Sequence, residues 1–218
     1  MLLEQDDQIL AFNKPSGLPC QTRKPDDRTL DKLLWAFAKS NGKRPRLVHR
    51  IDGETSGVVI AARTQPAAAA LSGSFENRAM RKTYLAIVEG DARRLSRVDS
   101  PVGTFRRTDG AIIAGIGGKP GVKDTKEAIT RFHCVLAGDQ VSLIECRPET
   151  GRMHQIRIHL AHAGHPILGD EMYGATKTAP RVMLHAARLE GPHPLGGVFD
   201  YSAPYPEDFE AMIGQLDG

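Results

Sequence analysis

Apolar side chains come in short bursts along this chain, and their spacing switches repeatedly between the periods of strand and helix. Ile9-Leu10-Ala11-Phe12 is an apolar run stopped by Asn13-Lys14-Pro15-Ser16-Gly17, the pattern of a strand entering a turn. From Thr29, whose hydroxyl suits an N-cap, Leu30, Leu33, Leu34 and Phe37 recur at i, i+3, i+4 and i+7, which predicts an amphipathic helix ended by Asn41-Gly42. Val58 to Ala62 is a continuous apolar strand, after which Thr64 and Pro66 open a second helix with Leu71 and Phe75 one turn apart. Tyr84 to Val88 is apolar at both parities, as in a strand covered on both faces.

Gly90 to Val122 breaks this rhythm, being rich in Gly, Arg and Asp, and reads as loops or short irregular strands. Ala128 to Leu136 and Val141 to Cys146 flank Ala137-Gly138-Asp139-Gln140, the spacing of a β-hairpin. Beyond Glu149-Thr150-Gly151-Arg152 comes a helix with Ile156, Leu160 and Ala163 on one face, closed by Gly164 and Pro166. Met183 to Leu189 reads as one more strand and Pro192 to Pro206 as a proline-rich wrap. Helices and strands mix without a βαβ repeat, a glycine-rich phosphate loop or a linker. The expectation is one α+β domain over residues 1–218.

Composition narrows the class. With 218 residues, 40% of them hydrophobic and 25% charged, the chain can build a packed core, which excludes disordered, collagen-like and disulfide-scaffold proteins. Cys20, Cys134 and Cys146 are odd in number and lack a C-x-x-C spacing, which points to a reducing compartment. The first residues lack the basic start and apolar run of a signal peptide, and no uncharged apolar stretch reaches about 18 residues. A cytoplasmic protein without membrane contact is expected.

The net charge of +3 conceals an uneven distribution. No Lys or Arg follows Arg188, whereas that tail holds Glu190, Asp200, Glu207, Asp208, Glu210 and Asp217. Residues 1–188 therefore carry 29 basic against 20 acidic side chains, a body of +9 and a tail of −6. So basic a body suits a polyanionic partner, since Lys and Arg that neutralise phosphates supply the sequence-independent part of nucleic-acid affinity. Ordinary charge scatter on a surface is the alternative.

Three segments could carry chemistry. In Leu47-Val48-His49-Arg50-Ile51-Asp52-Gly53-Glu54-Thr55-Ser56-Gly57, a polar turn lies between two apolar strands. A carboxylate fixed there suits nucleophilic or general-base work, although Asp52 and Thr55 could equally cap the turn. In Thr150-Gly151-Arg152-Met153-His154-Gln155-Ile156-Arg157-Ile158-His159-Leu160, Arg157 shares a helix face with apolar residues. Facing the core it needs an anion, with Asp52 the candidate partner; otherwise it snorkels to solvent. Tyr84, after the basic Arg81-Lys82, is a core tyrosine or a stacking and proton-carrying one. His154, His159, His162 and His165 lie close together, but without H-E-x-x-H or a neighbouring Cys they make a poor metal site, and no metal is expected.

Taken in order, these segments resemble the RluA-type pseudouridine synthases. H-R-[LI]-D-x-x-T-S-G matches His49 to Gly57, K-x-Y-x-A matches Lys82 to Ala86, and T-G-R-x-H-Q-[IL]-R-x-H with G-H-P-I-L-G-D matches Thr150 to His159 and Gly164 to Asp170. Asn13 to Gly17, Leu184-His185-Ala186, Ala203-Pro204 and Asp208-Phe209 extend the likeness over nearly the whole chain.

The resemblance implies a mixed, mainly antiparallel central sheet flanked by helices and loops, and a cofactor-independent isomerase that converts uridines of ribosomal or transfer RNA stem-loops to pseudouridine. By it Asp52 is the carboxylate that attacks C1′ or otherwise promotes glycosidic cleavage. Tyr84 stacks on the base and is implicated in removing the C5 proton, Arg157 pairs with the aspartate, and Arg50 fills the space left by the flipped nucleotide. His49, Arg50, Thr55, Arg152, His154, Gln155 and Leu184 are the implied substrate-binding residues. Many members carry an RNA-binding domain ahead of the catalytic one, whereas these motifs begin near residue 9, which implies a short form, expected to be monomeric. The basic, glycine-rich stretch from Arg93 to Lys126 matches no motif and is a candidate for RNA selection.

Overall fold

The computed structural model describes residues 1–22, 24, 26–40 and 42–215. Asn41 of the expected helix end and Asp217 of the acidic tail lie outside the described residues. In chain order the elements are β1 (Leu2–Gln5), β2 (Ile9–Lys14), α1 (Leu30–Leu33), β3 (Arg46–Leu47), β4 (Ser56–Ala62), α2 (Gln65–Glu76), β5 (Arg81–Glu89), β6 (Arg97–Asp99) and β7 (Val102–Arg106). There follow β8 (Ile112–Ile116), β9 (Val122–Lys126), β10 (Ile129–Ala137), β11 (Val141–Pro148), α3 (Gln155–His162), β12 (Leu184–Pro192), β13 (Val198–Ser202) and α4 (Glu207–Gly214). Helices and strands are thus intermixed as an α+β fold requires. They form two compact units, Met1–Lys82 with His185–Pro206, and Thr83–Leu184 with Glu207–Gly218.

In the first unit β4 is central. It pairs antiparallel with β2 and β3 and parallel with β12, which in turn pairs antiparallel with β13. All seven residues of β4 are buried, as a strand covered on both faces must be. Ile9, Ala11, Val58, Ile60, Leu71, Leu189 and Phe199 pack into one core. Thr64 caps α2 by accepting from the Ala67 N–H, and Thr29 caps α1 by accepting from the Lys32 N–H. The helix expected to run to Asn41-Gly42 is shorter than that: after one α-turn the backbone tightens to a 3-10 turn over Leu34–Phe37, the last residue of the apolar pattern, and Ala38 is already extended.

In the second unit β5, β11, β10 and β6 form an antiparallel sheet built on the β10–β11 hairpin, and β7 pairs with β8 and β9 in a separate three-stranded sheet. The expectation of loops or short irregular strands over residues 90–122 is met as to length, since β6, β7 and β8 have three to five residues each, but corrected as to order, since β7 and β8 pair in a sheet. Its glycines serve close strand contact: a Cβ on Gly103 would lie 2.2 Å from the Lys123 carbonyl oxygen, and one on Gly115 2.6 Å from Val122 Cγ2. Val102, Ala114 and Ile116 face Ala128, Met153, Ile158 and Tyr173. The proline-rich wrap is likewise more regular than expected, because it contains β13. The chain past it forms α4, with Glu207, Asp208 and Glu210 in the first turn.

Three of the tail acids are held by arginines. Arg188 bonds Asp200, with Glu190 within reach of Arg188 and Arg81, and Arg181 forks onto Asp208 while lying over Phe209. Among the described residues no helix is long and apolar enough to cross a membrane.

Candidate active site

The loop after β3 carries His49, Arg50, Asp52 and Thr55. It turns at Asp52, whose carbonyl accepts from the Thr55 N–H at 3.1 Å. The segment after β2 clamps this turn. Lys14 is fully buried and its Nζ donates to the carbonyls of Pro15, Leu18 and Gly53 at 2.9, 2.8 and 2.9 Å. The Gly17 N–H also reaches the Gly53 carbonyl, and Ser16 Oγ donates to the Glu54 carbonyl. Asp52 is partly exposed at the tip and Arg50 is exposed.

The base of the loop is set by two histidines. His49 Nε2 accepts the Ile60 N–H at 3.0 Å and its ring stacks on Phe75. Desolvation, assisted by the nearby charge of Lys82, pushes its pKa down to about 3, so the ring is neutral. Below Thr55, which is buried, the Ser56 hydroxyl meets His185 Nδ1 at 2.9 Å. His185 Nε2 lies against the Ala203 carbonyl, which can only accept, so Nε2 carries the proton and Nδ1 accepts from Ser56. Gly57, at φ +114°, lies so close to β12 that a Cβ would be 2.1 Å from the Ala186 carbonyl oxygen.

In the second unit Arg152, His154, Gln155 and Arg157 surround the start of α3. Gln155 is buried with all its amide atoms engaged. Its Oε1 accepts from Thr150 Oγ1 and the Arg152 N–H, and its Nε2 donates to the Ile129 carbonyl and Thr130 Oγ1. The network continues from Thr130 to His159 Nδ1, and His159 Nε2 donates to the Ser100 carbonyl. Burial lowers the His159 pKa, in keeping with a neutral ring. His154 adopts a left-handed backbone, φ +51°, and its Nδ1 lies 2.8 Å from the Tyr173 hydroxyl. Arg152 Nε donates to the Glu127 carbonyl.

Arg157 is 3% exposed and forks onto Asp170, Nε to Oδ2 and Nη2 to Oδ1, each at 2.7 Å, with its guanidinium over the Tyr173 ring. Of the two readings the sequence leaves open, core-facing or snorkelling, the structure has the core-facing one, and the carboxylate in the fork is Asp170, where the sequence offers Asp52 as the candidate. Tyr84 is partly exposed on β5 opposite Cys146 of β11, and Leu184 is buried at the start of β12.

Sequence reasoning gives no role to Lys14, Asp170, Tyr173, Thr130 or His185. Lys14, Asp170 and His185 sit inside matched motifs, and that is the signal that could have found them. Among the described residues no three His, Cys, Asp or Glu side chains are grouped to hold a metal ion.

The profile of the RNA pseudouridylate synthase family matches residues 8–162. Ribosomal large subunit pseudouridine synthase D of Zymomonas mobilis is 35% identical over 97% of this chain and 71% of its own. An uncharacterised RNA pseudouridine synthase of Bacillus subtilis, YhcT, is 34% identical over 97% of this chain and 70% of its own. Human RNA pseudouridylate synthase domain containing 1 superposes with a TM-score of 0.76 at 27% identity, covering 99% of this chain and 94% of that one. Human RNA pseudouridylate synthase domain containing 4 shares the fold with a TM-score of 0.81 at 24% identity, covering 99% and 92%. The chain belongs to the RNA pseudouridylate synthase family. It is an enzyme of the isomerase class that acts on RNA.

Proposed function

We propose that this enzyme converts specific uridines in ribosomal or transfer RNA stem-loops to pseudouridine, with Asp52 as the catalytic carboxylate. The names of two relatives as ribosomal large-subunit enzymes favour ribosomal RNA. In this reading Asp52 attacks C1′ as the N1–C1′ bond breaks, or otherwise promotes that cleavage; the released uracil turns, C5 bonds to C1′ as any Asp52–C1′ bond breaks and frees the carboxylate, and the C5 proton leaves to water while N1 takes one up. Tyr84 offers an aromatic face for the uracil and takes part in removing the C5 proton. Arg157 is the cation that serves the carboxylate. A stacked uridine cannot present C1′, so the nucleotide is flipped out at a cost of about a few kcal/mol, and Arg50 replaces part of the lost stacking.

Thr55 and the neutral His49 shape the Asp52 turn, and Arg152, His154, Gln155 and Leu184 complete the substrate-binding set. All three cysteines are free thiols, which supports a cytoplasmic location. The observation that carries the reading is the Asp52 turn, where an unbroken family motif coincides with a carboxylate loop fixed by a buried lysine.

RNA tritiated at uracil C5 tests it, because isomerisation must release that tritium to water. Wild-type protein acting on unmodified cellular RNA should release label and Asp52→Asn should not. Equal release by both would remove Asp52 from the mechanism.

A further inference from the structure

Trp35 is the single tryptophan of the chain and is 59% exposed. An isolated exposed apolar ring needs no explanation, but this one is braced. The Arg44 guanidinium lies over it, 5.3 Å from the ring centroid. Arg44 is in turn fixed by Asp31, with Nη2 to Oδ2 at 2.9 Å and Nη1 to Oδ1 at 3.1 Å. A held cation thus covers one side of the indole while more than half of the residue faces solvent. The surrounding chain is strongly basic: residues 28–50 hold seven Lys or Arg and one acid, and that acid is the Asp31 engaged by Arg44. Lys39, Lys43 and Arg46 are exposed on the segment that runs from the ring into the Asp52 loop.

We propose that this surface docks single-stranded RNA flanking the target uridine, with one base stacked on the open side of Trp35 and adjoining phosphates against Lys39, Lys43 and Arg46. The proposal deepens the reading above and rests on its RNA substrate. Stacking on an aromatic ring is indifferent to base identity, and lysines beside it follow the backbone, the combination that single-strand binding surfaces use. Charge selects the occupant. In a two-fold contact a second copy of the chain would bring the same basic stretch and meet repulsion, and the tail acids Asp200 and Asp208 are already engaged by Arg188 and Arg181, whereas RNA brings a continuous run of the opposite sign.

Because Trp35 is the sole tryptophan, tryptophan emission, excited selectively over the four tyrosines, reports on this surface alone. Titration of the full chain with an oligouridylate of about 12 nucleotides at low salt should quench the emission. Trp35→Ala should raise the Kd for the same oligomer, read by anisotropy, roughly 5- to 150-fold, the equivalent of one lost base stack. Trp35→Phe should retain most of the affinity. An unquenched wild type overturns the proposal whether or not Trp35→Ala folds. A Trp35→Ala variant with unchanged RNA affinity but altered sedimentation marks a protein contact instead and also overturns it. Tritium release by wild type, measured in parallel, separates the two readings: release without quenching removes the platform alone, and quenching without release removes the isomerase alone.

Discussion

Lys14 Nζ donates to the carbonyl oxygen of Gly53 at 2.9 Å, so a lysine with no exposed surface grips the peptide beside Asp52. Its three N–H donors converge on three carbonyls, which a planar guanidinium cannot reproduce in that space. Lys14→Met should therefore destabilise the fold by about 1–3 kcal/mol, the cost of buried acceptors left without a donor. Its kcat should fall further than that loss explains at temperatures where the protein stays folded. Lys14→Arg should not rescue it. Urea unfolding together with tritium release checks both, and a wild-type kcat in Lys14→Met would show that the clamp does not position the turn.

Arg157 and Asp170 form a buried fork, and breaking it from either side leaves a charge in a dry place. Asp170→Ala and Arg157→Ala should each cost about 3–5 kcal/mol, whereas Arg157→Met combined with Asp170→Leu should recover much of that loss. The double variant should fold yet remain inactive if Arg157 serves the reaction. Denaturant midpoints and tritium release separate the two roles, and an active double variant would reduce Arg157 to a structural residue.

Two glycines should respond oppositely to alanine. Gly57 combines a left-handed φ with a carbonyl in the space of its missing Cβ, so Gly57→Ala should cost at least about 1–3 kcal/mol and disturb the pairing of β4 with β12. Gly73 sits inside α2 with nothing within 4 Å of the place a Cβ would take, so Gly73→Ala should stabilise by about 0.5–1 kcal/mol. Thermal melts of the two variants decide the matter.

Acid should loosen the first unit through His49. Its folded pKa of about 3 lies below the ordinary value of 6.5, so between those values the unfolded chain binds the extra proton. The contribution is complete above pH 6.5 and is lost as pH falls toward 3, at a slope of at most about 1.4 kcal/mol per pH unit. His159, lowered by burial, adds in the same direction. Urea midpoints from pH 7 to 4.5 should fall less steeply in His49→Gln than in wild type, and parallel curves would remove His49 as a source.

What the sequence disclosed and what it hid follow from range. Local signals were legible: Thr29 and Thr64 cap the helices they announce, and Ala137 to Gln140 opens the hairpin of β10 and β11. Gly103 and Gly115 misled because glycine normally signals a loop, whereas here it admits a neighbouring strand, a reason visible only once Lys123 and Val122 are across from it. Arg157 announced a buried partner through its helical face, but its carboxylate, Asp170, follows after the turn that closes α3. In sequence Lys14 is simply one residue of the Asn13–Gly17 turn, since the carbonyls that hold it converge only in the folded chain. Nor does residue order reveal that Thr130, Gln155 and His159 share one buried network.

The arginine–carboxylate contacts of the tail bear on how RNA affinity varies with salt. An arginine that already holds a carboxylate has an internal counterion, so it has less to exchange when a phosphate approaches. Arg181 and Arg188 are in that position through Asp208 and Asp200, and Arg81 more loosely through Glu190. The ions released on binding should be fewer than the +9 of the body suggests, and they should come chiefly from lysines and arginines that lack such partners.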